Sequence, residues 1–162
     1  ELEAWRDSLR RGIQYHDEAS NLIFTGGVDD IWINSQRELI IVDYKATSKT
    51  EPVSLDAEWQ IGYKRQMAFY AWLFKKNGFK VAATGYFVYC NGKTDRKKFD
   101  SRLDFDISVL PYQIDATWIE PMIPELKECL MSSLPPRSGE NCDFCAYYEA
   151  RAESERQQMT LF

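Results

Sequence analysis

Apolar positions change rhythm several times along the chain. Over residues 1–10, Leu2, Trp5 and Leu9 fall at helical spacing among charges, which predicts one or two turns of helix. Residues 12–17 and 21–34 alternate in the manner of strands around a turn at 18–20, and Gly26-Gly27 inside the second run marks a bulge or a close backbone approach. After a polar break at 34–38, Leu39, Ile40, Ile41 and Val42 are apolar at consecutive positions. Such a run predicts a central strand covered on both faces. A loop containing Pro52 leads to a predicted helix over 56–77, capped by Gly78, with Trp59, Tyr63, Met67, Tyr70 and Phe74 on one stripe. Residues 79–90 read as another strand and Asn91-Gly92 as a hairpin turn. The partner strand returns over 97–109, with Phe99, Leu103, Phe105 and Ile107 mostly in alternation. A helix over 117–132 accommodates Pro121 and Pro124 near its start, Pro135-Pro136 stops it, and a charged segment over 148–159 reads as a last helix. These elements predict an α/β domain, a mixed β-sheet flanked by helices, with no internal repeat.

At 162 residues the expectation is one domain spanning 1–162, with 134–162 as a C-terminal extension. The sequence opens without methionine inside an amphipathic helical pattern, so a fragment of a longer chain is expected. Hydrophobic residues at 44% and charged residues at 28% are the composition of a chain that folds around a core rather than a disordered one. The net charge of −5 excludes a molecule that attracts nucleic acid or acidic membranes as a whole, so such a partner needs a local patch. Two stretches offer one. Residues 91–102 carry Lys93, Arg96, Lys97, Lys98 and Arg102 against two aspartates, and residues 45–80 carry seven cations, Lys49, Lys64 and Arg65 among them, against three carboxylates. Patches of this kind hold a phosphate backbone without reading its sequence, and part of each stretch is equally an ordinary solvated face. The longest apolar run, Ala68 to Phe74, is far short of a bilayer span and no signal peptide opens the chain, so a soluble cytoplasmic protein with no membrane partner is expected.

Asp29 and Asp43 each lie seven residues from Gln36, in the polar break between two predicted strands. A symmetric hairpin about that point sets the two aspartates directly opposite each other, with Cβ atoms roughly 5 Å apart, where like charges repel. Asp43 also sits within the apolar string IIVDYK, and burying a carboxylate there is costly unless it is paired or coordinates a metal. Two converging carboxylates favour a hard divalent cation with oxygen ligands, Mg²⁺ in particular. Lys45 follows Asp43 at the strand period of two and projects from the same face, where it can orient an attacking water and stabilise developing phosphate charge. The spacing alone also accommodates a plainer arrangement, with Asp29 in a turn and Asp43 and Lys45 as a surface ion pair.

The strings GGVDDIW, IVDYKAT and QMAFYAW resemble, in order and spacing, the three core motifs of the PD-(D/E)XK nuclease superfamily and in particular its RecB-like branch, which includes the CRISPR-adaptation exonucleases and AddB-type nucleases. Gly26 to Asp29 match Gly-x-x-Asp, Asp43 and Lys45 match Asp-x-Lys, and Gln66 and Tyr70 match Gln-x-x-x-Tyr. The resemblance covers roughly residues 25–89. It implies a restriction-endonuclease-like core of strand, strand, strand, helix, strand and a Mg²⁺- or Mn²⁺-dependent nuclease acting on DNA, in a repair or exonuclease setting beside a helicase or a CRISPR or repair complex. By the same resemblance Asp29, Asp43 and the backbone carbonyl of Tyr44 are metal ligands, Lys45 is the catalytic lysine, and Gln66 and Tyr70 support the site and contact DNA. The family also places an acidic residue or a histidine on a helix well before its first motif. Here the one histidine, His16, falls on a predicted strand instead, so as a ligand it departs from the pattern.

Cys142 and Cys145 have the two-residue spacing that lets both thiolates grip one Zn²⁺ or one iron of a cluster. RecB-like nucleases carry a cysteine group near the chain end that holds an iron–sulfur cluster, and this pair resembles it, implying a 4Fe-4S cluster or Zn in the full-length protein. Cys90 and Cys129 lie in apolar contexts and are expected as buried neutral thiols. Two other readings remain open on the sequence: a catalytically inactive nucleic-acid-binding or complex-assembly module on the same fold, and a structural metal domain organised by the cysteine pair.

Overall fold

The computed structural model describes residues 1–7, 9–95, 98 and 100–159. After a short helix α1 (Leu2–Arg6), strands β1 (Ile13–Asp17) and β2 (Leu22–Gly26) form a two-stranded antiparallel sheet. Strands β3 (Asp30–Ile33), β4 (Leu39–Thr47), β5 (Thr84–Gly92) and β6 (Phe105–Gln113) form a second sheet in the order β3-β4-β5-β6. The β3–β4 and β5–β6 pairs are antiparallel and β4–β5 is parallel, so the sheet is mixed, as the sequence predicts. The parallel connection is made by a 3-10 turn over Glu58–Gln60 and helix α2 (Ile61–Lys76). Among the described elements the order of strands and helix is that of a restriction-endonuclease-like core.

α2 starts later than its apolar stripe suggests. Glu58–Gln60 wind as a tighter 3-10 turn, Trp59 stays exposed, and the α-helix begins at Ile61. At the other end Asn77 caps the helix and Gly78 adopts φ +83°, the left-handed conformation that glycine takes most cheaply after a helix. The buried face of α2 comprises Met67, Ala68, Ala71, Trp72, Leu73 and Phe74. It packs with Ile41 of β4 and Phe87 of β5 into one apolar cluster. The small hairpin joins the same cluster through Tyr15 and Phe24, whose rings meet Trp72 edge-on at 5.5 and 5.2 Å. From the chain start, Trp5 packs against Phe74 at 5.0 Å. These contacts fix α2 over β4, which is what the candidate site requires.

Four expectations need correcting. The predicted strand over 21–34 is two strands, β2 and β3, separated by Gly27 to Asp29. Asn91-Gly92 is no hairpin turn: both residues continue β5, paired with Asp106 and Phe105, because the Asn91 side chain accepts from Lys49 N at 2.8 Å and donates to Lys49 O at 2.9 Å. The returning strand therefore runs from Phe105 to Gln113 rather than over 97–109, with Phe105, Ile107 and Val109 exposed on one face, while Arg96, Lys97 and Phe99 lie outside the described residues. As an edge strand, β6 tolerates Pro111. Last, Cys129 is exposed and Cys90 half-buried, so neither is the fully buried thiol expected.

Helix α3 (Ile119–Met131) sets Ile119 and Ile123 into the core, with Pro124 inside it. Helix α4 (Asp143–Met159) begins earlier than predicted and takes Cys145 into its first turn. The chain divides into two compact units, Glu1–Pro124 and Glu125–Phe162. No helix among the described residues is long and apolar enough to cross a membrane.

Candidate active site

The ladder between β3 and β4 pairs Asp30 with Val42 and Ile31 with Ile41. One step further in that register, Asp29 faces Asp43. Asp29 sits just before β3, and its Oδ2 accepts a hydrogen bond from Tyr44 N at 2.8 Å. The two motif strands are thereby tied by a carboxylate beside the place where the second carboxylate enters. The neighbouring Asp30, which the sequence reading passed over, accepts from Ile31 N at 2.8 Å and from the Tyr44 hydroxyl at 2.7 Å, so Tyr44 is held by both aspartates. Its backbone carbonyl lies between Asp43 and Lys45 on β4.

Asp43 is 3% exposed, on the β4 face that also presents Ile41 and Lys45. Burial pushes its carboxyl above the ordinary carboxylate range, the Asp29 charge pushes it the same way, and Lys45 opposes both. Lys45 Nζ forms an ion pair with Oδ2, the one partner of that buried oxygen among the described residues. A buried carboxylate held by a single ammonium, with a second carboxylate adjacent, is a donor set that suits a hard divalent cation. Among the described residues no group of three or more His, Cys, Asp or Glu side chains gathers as a ready-made cage. Mg²⁺ does not demand one, since it commonly rests on one or two carboxylates and takes its remaining ligands from water and substrate phosphate.

α2 supplies the roof. Lys45 Nζ lies 4.3 Å from the centroid of the Tyr63 ring, a cation–π contact that holds the ammonium while its charge faces Asp43. The sequence places Tyr63 on the apolar stripe of this helix and gives it no role at the site. Gln66 Nε2 donates to the Tyr70 hydroxyl at 2.8 Å. Burial, with the Asp43 and Asp29 charges, holds the Tyr70 phenol above its usual range, so it stays protonated and keeps its own O–H to donate. Gln60, at the end of the 3-10 turn, is 2% exposed and was missed, since nothing in the sequence distinguishes it. Its Oε1 accepts from Ala57 N at 2.9 Å, and its Nε2 donates to Ser54 O at 2.7 Å and to the Tyr89 hydroxyl at 3.1 Å, pinning the loop before α2 to β5 next to Lys45.

Gly26 belongs to the site sterically. A Cβ there would stand 2.8 Å from Cε1 of Tyr70 and 3.0 Å from Cδ1, so only glycine lets the Tyr70 ring lie against β2. Gly26→Ala is expected to displace Tyr70 and to destabilise the fold by about 1–3 kcal/mol through overpacking. A thermal melt together with a shifted Tyr70 titration checks this.

The remaining predicted residues fall elsewhere. His16 lies on the β1–β2 hairpin, exposed, with Nε2 3.0 Å from Asn21 Oδ1, and alternates away from the face through which Tyr15 reaches α2. The structure does not bring it to the two aspartates. Lys49 stands 5.3 Å over the Trp59 ring, and Lys93 pairs with Asp106 at 2.8 Å. Lys98 is exposed, Lys64 half-buried and Arg65 exposed, whereas Arg96 and Lys97 lie outside the described residues. In the second unit, Cys142 Sγ accepts a hydrogen bond from Cys145 N at 3.4 Å. Hydrogen bonds from Cys145 lower the Cys142 thiol, while Cys145 is raised against it. Two thiols do not close a tetrahedral site by themselves.

A family model described as the PD-(D/E)XK nuclease superfamily matches residues 2–150. No curated protein and no solved structure matches.

Proposed function

The chain belongs to the PD-(D/E)XK nuclease superfamily, and from that premise we propose that it is a divalent-metal-dependent deoxyribonuclease of RecB-like type. The observation that carries the proposal is the buried carboxylate of Asp43, set across the β3–β4 hairpin from Asp29 and paired with Lys45.

Asp29, Asp43 and the Tyr44 carbonyl would hold Mg²⁺ or Mn²⁺. When bound, the cation polarises the scissile phosphate and promotes ionisation of water. This chain's residues do the rest. Asp43, kept from solvent, would give the cation a fixed anionic seat beside Lys45. Lys45, held between Asp43 and the Tyr63 ring, positions the attacking water and offers an N–H to the non-bridging phosphate oxygens where negative charge accumulates. Tyr70, polarised by Gln66, donates its proton toward the same oxygens. The bond broken is a phosphodiester, and the products are a phosphate monoester and a hydroxyl. Cys142 and Cys145 would contribute two thiolates to a zinc or iron–sulfur site completed by other ligands, and no step of the cleavage runs through them.

The test is cleavage of labelled single- and double-stranded DNA with Mg²⁺, Mn²⁺ or EDTA. Cleavage that requires the cation and disappears in EDTA is the expected result. DNA binding without cleavage under every condition would instead establish a binding module on a nuclease fold.

A further inference from the structure

On the flank of α2 turned away from Tyr63 and Gln66, a groove of about 640 Å³ opens between α2, the end of β6 and the start of α3, all within the first unit. Two kinds of side chain line it. Lys64 and Arg65 stand on α2, immediately before the Gln66 that supports the candidate site. The rings of Tyr112 and Trp118 and the apolar Met122 line it as well. Lys64 Nζ is 6.0 Å from the Tyr112 centroid, a loose contact that leaves the ammonium available, and no salt bridge engages Lys64 or Arg65 among the described residues. Trp118 lines the groove, is 38% exposed, and has its orientation set by Nε1 donating to Asp115 O at 3.1 Å. Asp115 is the groove's one lining carboxylate, and its Oδ1 is engaged by Thr117 N at 3.0 Å and the Thr117 hydroxyl at 2.6 Å.

We propose that this groove is a single-strand subsite that takes one or two nucleotides of the nucleic-acid substrate, bases stacked on Trp118 and Tyr112 and phosphates on Lys64 and Arg65. The proposal rests on the nuclease reading and deepens it by assigning where the strand is held on the far flank of the helix that roofs the cleavage site. Two cations without a salt bridge among the described residues, in one groove with two aromatic rings, are the complement of a nucleotide, which has one anionic edge and one flat apolar face. Asp115 gives the subsite polarity, since its charge repels phosphate from the loop side and leaves the α2 side for the backbone. The sharing of α2 matters too. Lys64 and Arg65 stand between Tyr63 and Gln66 in sequence but on the opposite flank of α2, so a strand seated in the groove is held along the far side of the turn of helix that supports Lys45 and Tyr70.

The experiment measures binding of a fluorescently labelled oligo-dT to the full chain in EDTA, where cleavage is off, for wild type, Trp118→Ala, Trp118→Phe and Lys64→Gln/Arg65→Gln. Metal-dependent cleavage of the same oligomer is followed in parallel. Loss of one stacked base is expected to weaken binding by roughly 5- to 100-fold in Trp118→Ala. Trp118→Phe should recover most of it. The double variant is expected to flatten the salt dependence by about 1.4 in the logarithmic slope, two phosphates' worth on a single strand. Melting curves matching wild type establish that these surface changes leave the fold intact. Wild-type binding that none of the variants alters overturns the subsite while leaving the nuclease reading untouched. Cleavage absent but binding lost in Trp118→Ala sustains the subsite and sinks the nuclease reading, and a wild type that neither binds nor cleaves overturns both.

Discussion

Lys45→Ala is expected to lower metal-dependent cleavage by about 100- to 1000-fold, the usual cost of removing one preorganised donor aimed at developing charge. The loss should fall on the rate rather than on substrate binding, because Lys45 is small in the electrostatic footprint and close to the reacting phosphate. A second effect separates this chemistry from simple damage. Lys45 is the cation paired with Asp43, whose side chain is 4% exposed, and breaking a buried pair from one side costs about 3 kcal/mol or more. The metal-free variant should therefore melt well below wild type. Adding Mg²⁺ should recover much of that deficit, since the divalent ion supplies the missing positive charge, while cleavage stays low. Lys45→Arg supplies the control: its guanidinium preserves the charge but is planar and larger than an ammonium, so stability should return without the rate. A Lys45→Ala protein that cleaves normally would remove the lysine from the mechanism and return Asp43 and Lys45 to a structural ion pair.

How much of this was legible beforehand depends on which physical rule governs each residue. The facing of Asp29 and Asp43 could be read because a hairpin's register is set by its turn and the two residues are equidistant from Gln36. The Gln66–Tyr70 contact followed equally simply from helical periodicity. The course of the chain after β5 was not legible, since Asn-Gly is an ordinary hairpin turn until Asn91 spends its side-chain amide on the backbone of Lys49, forty-two residues away in sequence. Nor was Gln60, because a glutamine's burial is decided by three partners from separate segments rather than by its own neighbours. His16 misled for a related reason. Residue type made it a candidate ligand, but strand alternation, readable in principle from Tyr15 and Asp17, turns it outward. Chemistry that depends on local period could be anticipated, and chemistry that depends on long-range side-chain bonds could not.

Asp43→Asn is expected to abolish both cleavage and the stabilisation of the fold by Mg²⁺ or Mn²⁺. In wild type, a cation held at 100 times its dissociation constant should add about 2.7 kcal/mol to stability, a rise in melting temperature of roughly 5–10 °C for a chain of this size. Asparagine keeps the shape and one carbonyl oxygen but removes the anionic seat, leaving Asp29 and a backbone carbonyl, so the loss in metal affinity should exceed the 10- to 100-fold typical of residues that merely support a ligand. The same substitution behaves differently without metal. Burial raises the Asp43 carboxyl because its charged form is poorly solvated, so above the ordinary carboxylate range the folded state carries the cost of that charge, and asparagine does not. Against this gain stands the loss of Lys45's counter-ion, softened because the ammonium retains the Tyr63 ring and some solvent, with its side chain 17% exposed. Metal-free stability should accordingly change by no more than about 1–2 kcal/mol in either direction. A metal titration followed by thermal melting, wild type beside Asp43→Asn, reads both quantities at once. A variant that still gains stability from Mg²⁺ would place the cation elsewhere, whereas one that loses the metal shift but melts within a few degrees of wild type would show that this buried carboxylate is maintained for the ion and not for the fold.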